Sequence, residues 1–99
     1  MSISIDIPDK WRLDETSDAE ISSEGDSIVF VNQSNNVTCR ISGVKEVSDR
    51  LDFLGEVVDE NDEELESLWL SSDDYTTVSH ARDEIVEWGE GQMKSYSYY

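Results

Sequence analysis

Ile3, Ile5 and Ile7 alternate with Ser4 and Asp6, the period of a strand with one buried face, and Pro8-Asp9 stops it. Trp11 and Leu13 continue the every-other pattern and suggest a second short strand. Residues 14–27 are polar apart from Ala19 and Ile21 and read as loop with at most a brief extended piece. The clearest local signal follows. Ser27-Ile28-Val29-Phe30-Val31 is rich in β-branched and aromatic residues, Asn32-Gln33-Ser34-Asn35-Asn36 is turn chemistry, and Val37, Cys39 and Ile41 alternate with Thr38, Arg40 and Ser42. Two such runs joined by about five Asn/Ser-rich residues predict a hairpin over 27–42.

After Gly43 the period changes. Val44, Val47, Leu51, Leu54, Val58, Leu65 and Leu68 fall three, four or seven residues apart, an apolar stripe on one helical face in which Asn61 takes one place. Gly55 weakens a helix there by about 1 kcal/mol relative to Ala. Asp59–Glu64 carries no apolar side chain, so the stripe predicts two helices, 44–58 and 62–70, with a break between them. A competing reading takes Leu51, Phe53 and Val57 as a further strand. Ser71-Ser72-Asp73-Asp74 supplies N-cap candidates for a last helix. Val78, Ala81, Ile85 and Trp88 form its stripe, and Gly89 stands where a C′ glycine ends a helix. Residues 90–99 read as a tail or a short strand. The expected fold is one α+β domain over 1–99, β-rich in 1–43 and mainly helical in 44–89. In it a small antiparallel sheet (N-terminal strand plus the 27–42 hairpin) is covered by two or three C-terminal helices.

Charge changes this picture more than any motif. The 99 residues hold 24 Asp+Glu against 7 Lys+Arg, a formal charge of −17. Leu, Ile, Val and Phe make up 24 of the 99, just above the level of roughly 20% below which such charge implies disorder. The core is therefore thin. Residues 1–50 carry a net −5 and residues 51–99 a net −12, with no Lys or Arg between Arg50 and Arg82. A surface of this sign disfavours direct binding to nucleic acid or to an anionic membrane. The longest apolar run, Ile28–Val31, is far short of a membrane span. Met1-Ser2 opens without a basic or apolar leader, which points to a cytoplasmic protein, or to a virion component if the source is viral.

Candidate chemistry is sparse. A calcium loop begun at Asp59 has Glu64 where the sharp turn needs glycine and Leu70 where the bidentate glutamate belongs, so it fails. His80, the only histidine, lacks a nucleophile and an orienting group nearby in sequence and reads as a surface residue. Cys39, the only cysteine, falls with Val37 and Ile41 on the inward face of the hairpin and reads as core. Two glycosylation sequons, at Asn32 and Asn36, coincide with the hairpin turn and read as turn residues. No cofactor, metal set or catalytic group can be named, so an enzyme is not expected. Trp69 and Trp88 adjoin or belong to helical stripes and read as core, and Trp11 reads as cover for the sheet.

The chain resembles the small acidic proteins of haloarchaea or of their viruses. It has three lysines, Asp and Glu at twelve each, one Cys, and runs such as Ser17-Asp18-Ala19-Glu20 and Arg82-Asp83-Glu84-Ile85-Val86-Glu87-Trp88. The resemblance is one of composition and implies work in high salt, not an activity. The expected function is binding another macromolecule through an acidic face of Glu56, Asp59, Glu60, Asp62, Glu63, Glu64 and Glu66. An aromatic terminus of Tyr96, Tyr98 and Tyr99 is a second candidate surface. The partner is expected to be a protein, with a basic nucleic-acid-binding protein or a larger assembly as the candidates. Two alternatives compete: a nucleic-acid mimic filling a basic groove with carboxylates one helical turn apart, and an accessory subunit of a virion.

Overall fold

Strand order follows chain order. The computed structural model describes residues 7–18, 20–45 and 50–97. Five strands, β1 (Trp11–Leu13), β2 (Ser27–Asn32), β3 (Thr38–Val44), β4 (Asp52–Val58) and β5 (Glu64–Leu70), form one antiparallel sheet in the order β1-β2-β3-β4-β5. A 3-10 turn (Ser72–Asp74) leads to one α-helix, α1 (Val78–Ser95), which packs on β3 and β4. The arrangement is a small α+β fold, but the expected cover of two or three helices does not form. Among the described residues, a single α-helix lies on a five-stranded sheet. Ile3 and Ile5 of the expected N-terminal strand lie outside the described residues, and Ile7 is exposed.

The hairpin is where local alternation put it, with Ile28 opposite Ile41 and Phe30 opposite Cys39. The segment 44–70 is strand where the apolar stripe predicts helix, and the reason lies in two-sided burial. Phe53 and Val57 of β4, with Leu51 just before it, are buried toward α1, while Leu54 and Val58 lie half-buried on the other face. Apolar residues on both faces of a strand reproduce the three- and four-residue spacings of a helical stripe. β5 adds to the effect through a bulge. Val57 pairs with Glu66 and Val58 with Glu64, so Leu65 is an extra residue. It brings Leu65 and Leu68, three apart, against the same core. The competing strand reading of Leu51, Phe53 and Val57 describes this segment.

The core lies between the sheet and α1. Ile28, Phe30, Cys39, Ile41, Phe53 and Val57 meet Ala81, Ile85 and Met93, all at 2% exposure or less. Burial of such side chains contributes roughly 1.5–3 kcal/mol each. The helix starts later and ends later than its sequence signals suggest. Its N-cap is Thr77, whose hydroxyl accepts the His80 N–H at 3.0 Å. It runs through Gly89 to Ser95, because Gly89 is a contact surface and not a terminator. A Cβ on Gly89 would stand 2.8 Å from Ile41 Cδ1. Asp52 ties the start of β4 to the 3-10 turn. Its buried Oδ1 accepts the Ser72 N–H at 2.8 Å and the Ser72 hydroxyl at 3.2 Å.

Candidate functional site

The densest run of carboxylates forms the β4–β5 hairpin, and Asp59 shapes its turn. The Asp59 N–H donates to Glu63 O at 3.0 Å, and its carbonyl accepts the Asp62 N–H at 3.0 Å. Its Oδ1 accepts the N–H groups of Asn61 (2.8 Å) and Glu63 (3.0 Å). Asp62 takes the left-handed φ of 61°, a conformation in which Asp and Asn are enriched among non-glycine residues. Asp59 is therefore occupied in holding the loop, while Glu60, Asp62 and Glu63 project into solvent.

The seven acids predicted to share a face are all in or beside this hairpin, but they do not share a face. Glu56 sits half-buried on the sheet face away from α1, with Arg40 and Ser67 as its cross-strand neighbours. Glu66 lies toward α1, where its Oε1 accepts the Tyr96 hydroxyl at 3.4 Å. Glu64 is exposed at the start of the edge strand. The one-turn helical spacing behind the mimic geometry is replaced by strand spacing, in which alternate residues are about 6.8 Å apart. The bulge at Leu65 interrupts even that row.

A second loop stands beside the first. Ser34, Asn35 and Asn36 of the β2–β3 turn and Asp59, Glu60 and Asn61 of the β4–β5 turn bound an open groove of about 350 Å³. Its walls offer carboxylate and amide oxygens as acceptors and amide N–H groups as donors. Nothing on them is a nucleophile stronger than a serine hydroxyl.

The aromatic terminus is built into the fold at its first residue. Tyr96 is half-buried against the core, and its carbonyl accepts from Asn35 Nδ2 (3.1 Å) and Asn32 Nδ2 (3.4 Å). Ser97 Oγ donates to Met93 O at 2.7 Å and accepts the Trp11 Nε1–H at 3.1 Å. Tyr98 and Tyr99 lie outside the described residues. The asparagines of the turn thus receive the end of α1, a role their turn chemistry alone does not reveal. Asn32 is fully buried, and its Oδ1 also accepts the Ser34 N–H at 2.8 Å.

Trp69, expected in the core, is 42% exposed on the face of β5 away from α1, beside Leu54. Trp11 is buried and Trp88 half-buried, as their patterns suggested. Cys39 is fully buried, and desolvation pushes its thiol pKa up from 9.0 to about 12, so it stays protonated and unreactive. His80 is exposed, edge-on to the Tyr75 ring at 5.2 Å and 3.8 Å from Glu84.

No protein-family model matches the chain, and no curated protein or solved structure is significantly similar to it. Among the described residues, no helix is long and apolar enough to cross a membrane.

Proposed function

We propose that this is a non-enzymatic interaction protein that uses its β4–β5 hairpin to bind a basic protein surface, with a nucleic-acid-binding protein as the leading partner. One observation carries the reading. Six of the eight residues Asp59–Glu66 are acidic, three of them (Glu60, Asp62 and Glu63) project from a turn that Asp59 fixes, and no Lys or Arg lies between Arg50 and Arg82 in the sequence. At low ionic strength such a surface attracts cations at long range and speeds encounter with a basic partner, and in concentrated salt it acts by direct pairing at contact range. A larger assembly with a basic docking site fits the same surface. A nucleic-acid mimic calls for a regular row of carboxylates, which the bulged strand does not offer.

The rest of the acidity belongs to the solvent. At 1 M salt the Debye length is about 3 Å, which suppresses repulsion between separated carboxylates. A halophilic type of surface is then compatible with a thin core, and binding works through the hairpin at shorter range.

The test is calorimetric titration against a panel of purified basic nucleic-acid-binding domains, with poly-L-lysine as the charge-only control. At least one domain should bind with defined stoichiometry and more tightly than the control. Combined Glu60→Gln, Asp62→Asn and Glu63→Gln should weaken that binding tenfold or more. Binding that never exceeds the poly-L-lysine control, or that ignores the neutralised hairpin, overturns the proposal.

A further inference from the structure

The sheet has two edges, and they differ. At one end β1 is three residues long and gives way to a loop whose Asp14 and Asp18 N–H groups bond to Val29 O and Ser27 O, both at 2.8 Å. This short edge presents little to pair with. At the other end β5 is seven residues long, has β4 as its sheet neighbour, and makes no backbone hydrogen bond to any other element among the described residues. Its outward N–H and C=O groups form a ready template for a further strand. Glu64–Leu70 contains no lysine or proline and α1 packs on β3 and β4, so the edge is guarded by its carboxylates and by the bulge at Leu65, which deter an acidic or uncharged strand and leave Ser67–Leu70 open.

The side chains of β5 say what strand it takes. Glu64 and Glu66 stand at its start beside Glu60, Asp62 and Glu63. Leu68, Trp69 and Leu70 stand at its end, with Trp69 42% exposed. We infer that β5 accepts an extended cationic segment of the partner as a sixth strand, with Lys or Arg opposite Glu64 and Glu66 and apolar residues opposite Leu68, Trp69 and Leu70. The inference rests on the proposed function and adds the mode of binding and the chemistry of the partner. Main-chain bonds along the edge supply affinity, and the acidic-then-apolar order supplies direction. A second copy of the chain fits worse. Pairing β5 with itself about Glu66 sets that carboxylate against its twin, and any β5–β5 contact joins two halves that each carry a net −12.

The probe is an acetylated, amidated nine-residue peptide with four consecutive lysines followed by five alternating valine and threonine residues, so that lysines reach both faces of the edge, on which Glu64 and Glu66 lie. Its control has the same side chains but N-methyl groups on alternate amides, which keeps the charge and removes strand pairing. The unmodified peptide should bind, raise hydrogen-exchange protection of β5 amides at least tenfold and change Trp69 fluorescence, and the N-methylated peptide should bind at least tenfold more weakly. Paired Glu64→Gln and Glu66→Gln should weaken the unmodified peptide about tenfold. If both peptides bind equally and β5 amides gain no protection, strand addition is wrong while binding through acidic charge survives. If neither the peptide nor any basic domain of the panel binds, both readings fall. Concentration-dependent dimers with protected β5 amides in the absence of peptide would identify a second copy as the occupant and overturn the cationic strand.

Discussion

The six-membered ring of Trp88 lies on the backbone of Gly55. A Cβ at position 55 would fall within the indole, 2.7 Å from Cε3 and 3.0 Å from Cη2. The glycine that counts against a helix in the sequence is the seat of the one tryptophan on α1. Gly55→Ala should destabilise the fold by about 1–3 kcal/mol, the usual cost of overpacking. Urea unfolding measures it. In a Trp88→Leu background the same alanine should cost less than half as much, because the two residues share one contact.

Two further glycines sit two residues apart on α1 and should respond in opposite directions. Gly91 has nothing within 4 Å of a built Cβ, so Gly91→Ala should stabilise by about 1 kcal/mol through helix propensity alone. Gly89→Ala gains the same term but drives its methyl to 2.8 Å from Ile41 Cδ1, in a core where Ile41 is fully buried. Overpacking of about 1–3 kcal/mol offsets the gain, for a net loss of up to about 2 kcal/mol. Thermal melts of the two variants, run side by side, should shift apart.

Stability should fall at both ends of the pH scale for nameable reasons. Asp26 accepts the backbone N–H groups of Ser22 and Ser23, with a smaller contribution from the Ser23 hydroxyl, and its pKa is held below the ordinary 3.8. Thr16 does the same for Asp14, first through its hydroxyl and then through its N–H. Depressed carboxylates stabilise the fold above their unfolded pKa and lose that contribution as pH falls through the folded value, so the 14–27 loop should loosen below about pH 4. Cys39 acts at the other end. The unfolded chain releases its thiol proton near 9 and the folded chain only near 12, so stability declines as pH rises between them. The slope is at most about 1.4 kcal/mol per pH unit. In Cys39→Ala that alkaline slope should disappear, and in Asp26→Asn the acid limb should be shallower, both read from urea midpoints against pH.

Salt should stabilise the protein at neutral pH. With 14 acidic and 2 basic side chains in residues 51–99, screening relieves repulsion in the folded state that an expanded chain already escapes. The urea midpoint should rise steadily from tens of millimolar to molar sodium chloride, and neutralising Glu60, Asp62 and Glu63 should flatten the rise. A midpoint indifferent to salt would count against the halophilic surface.

These residues also mark how far the sequence speaks. The 27–42 hairpin is legible because its inward residues alternate cleanly and its turn is five polar residues in a row. The helix stripe of Val78, Ala81 and Ile85 is legible for the same kind of reason, one face buried and the rest polar. Segment 51–70 misleads because Leu54 and Val58 are apolar on the face away from α1 and the Leu65 bulge shifts the strand's phase, so strand burial imitates a helical period. Gly89 misleads because a terminating glycine and a contact glycine look alike in one dimension. The acidity of the candidate site can be counted directly. Its geometry could not, since the acids change from a row on a helix to a turn and an edge once the segment becomes β4 and β5. Asn32 and Asn35 read correctly as turn residues, yet their hold on the Tyr96 carbonyl spans 64 and 61 positions of chain and leaves no local trace.

A sheet whose neighbours in space are neighbours in sequence assembles by successive short-range closures, each costing little entropy. The clasp between the Trp11 indole and Ser97, 86 residues apart, is the opposite kind of event and belongs at the end of that sequence. Hydrogen exchange should therefore find the amides of the far helix turn opening before those of the strand ladder, so that one side of the sheet is uncovered while its strands are still paired.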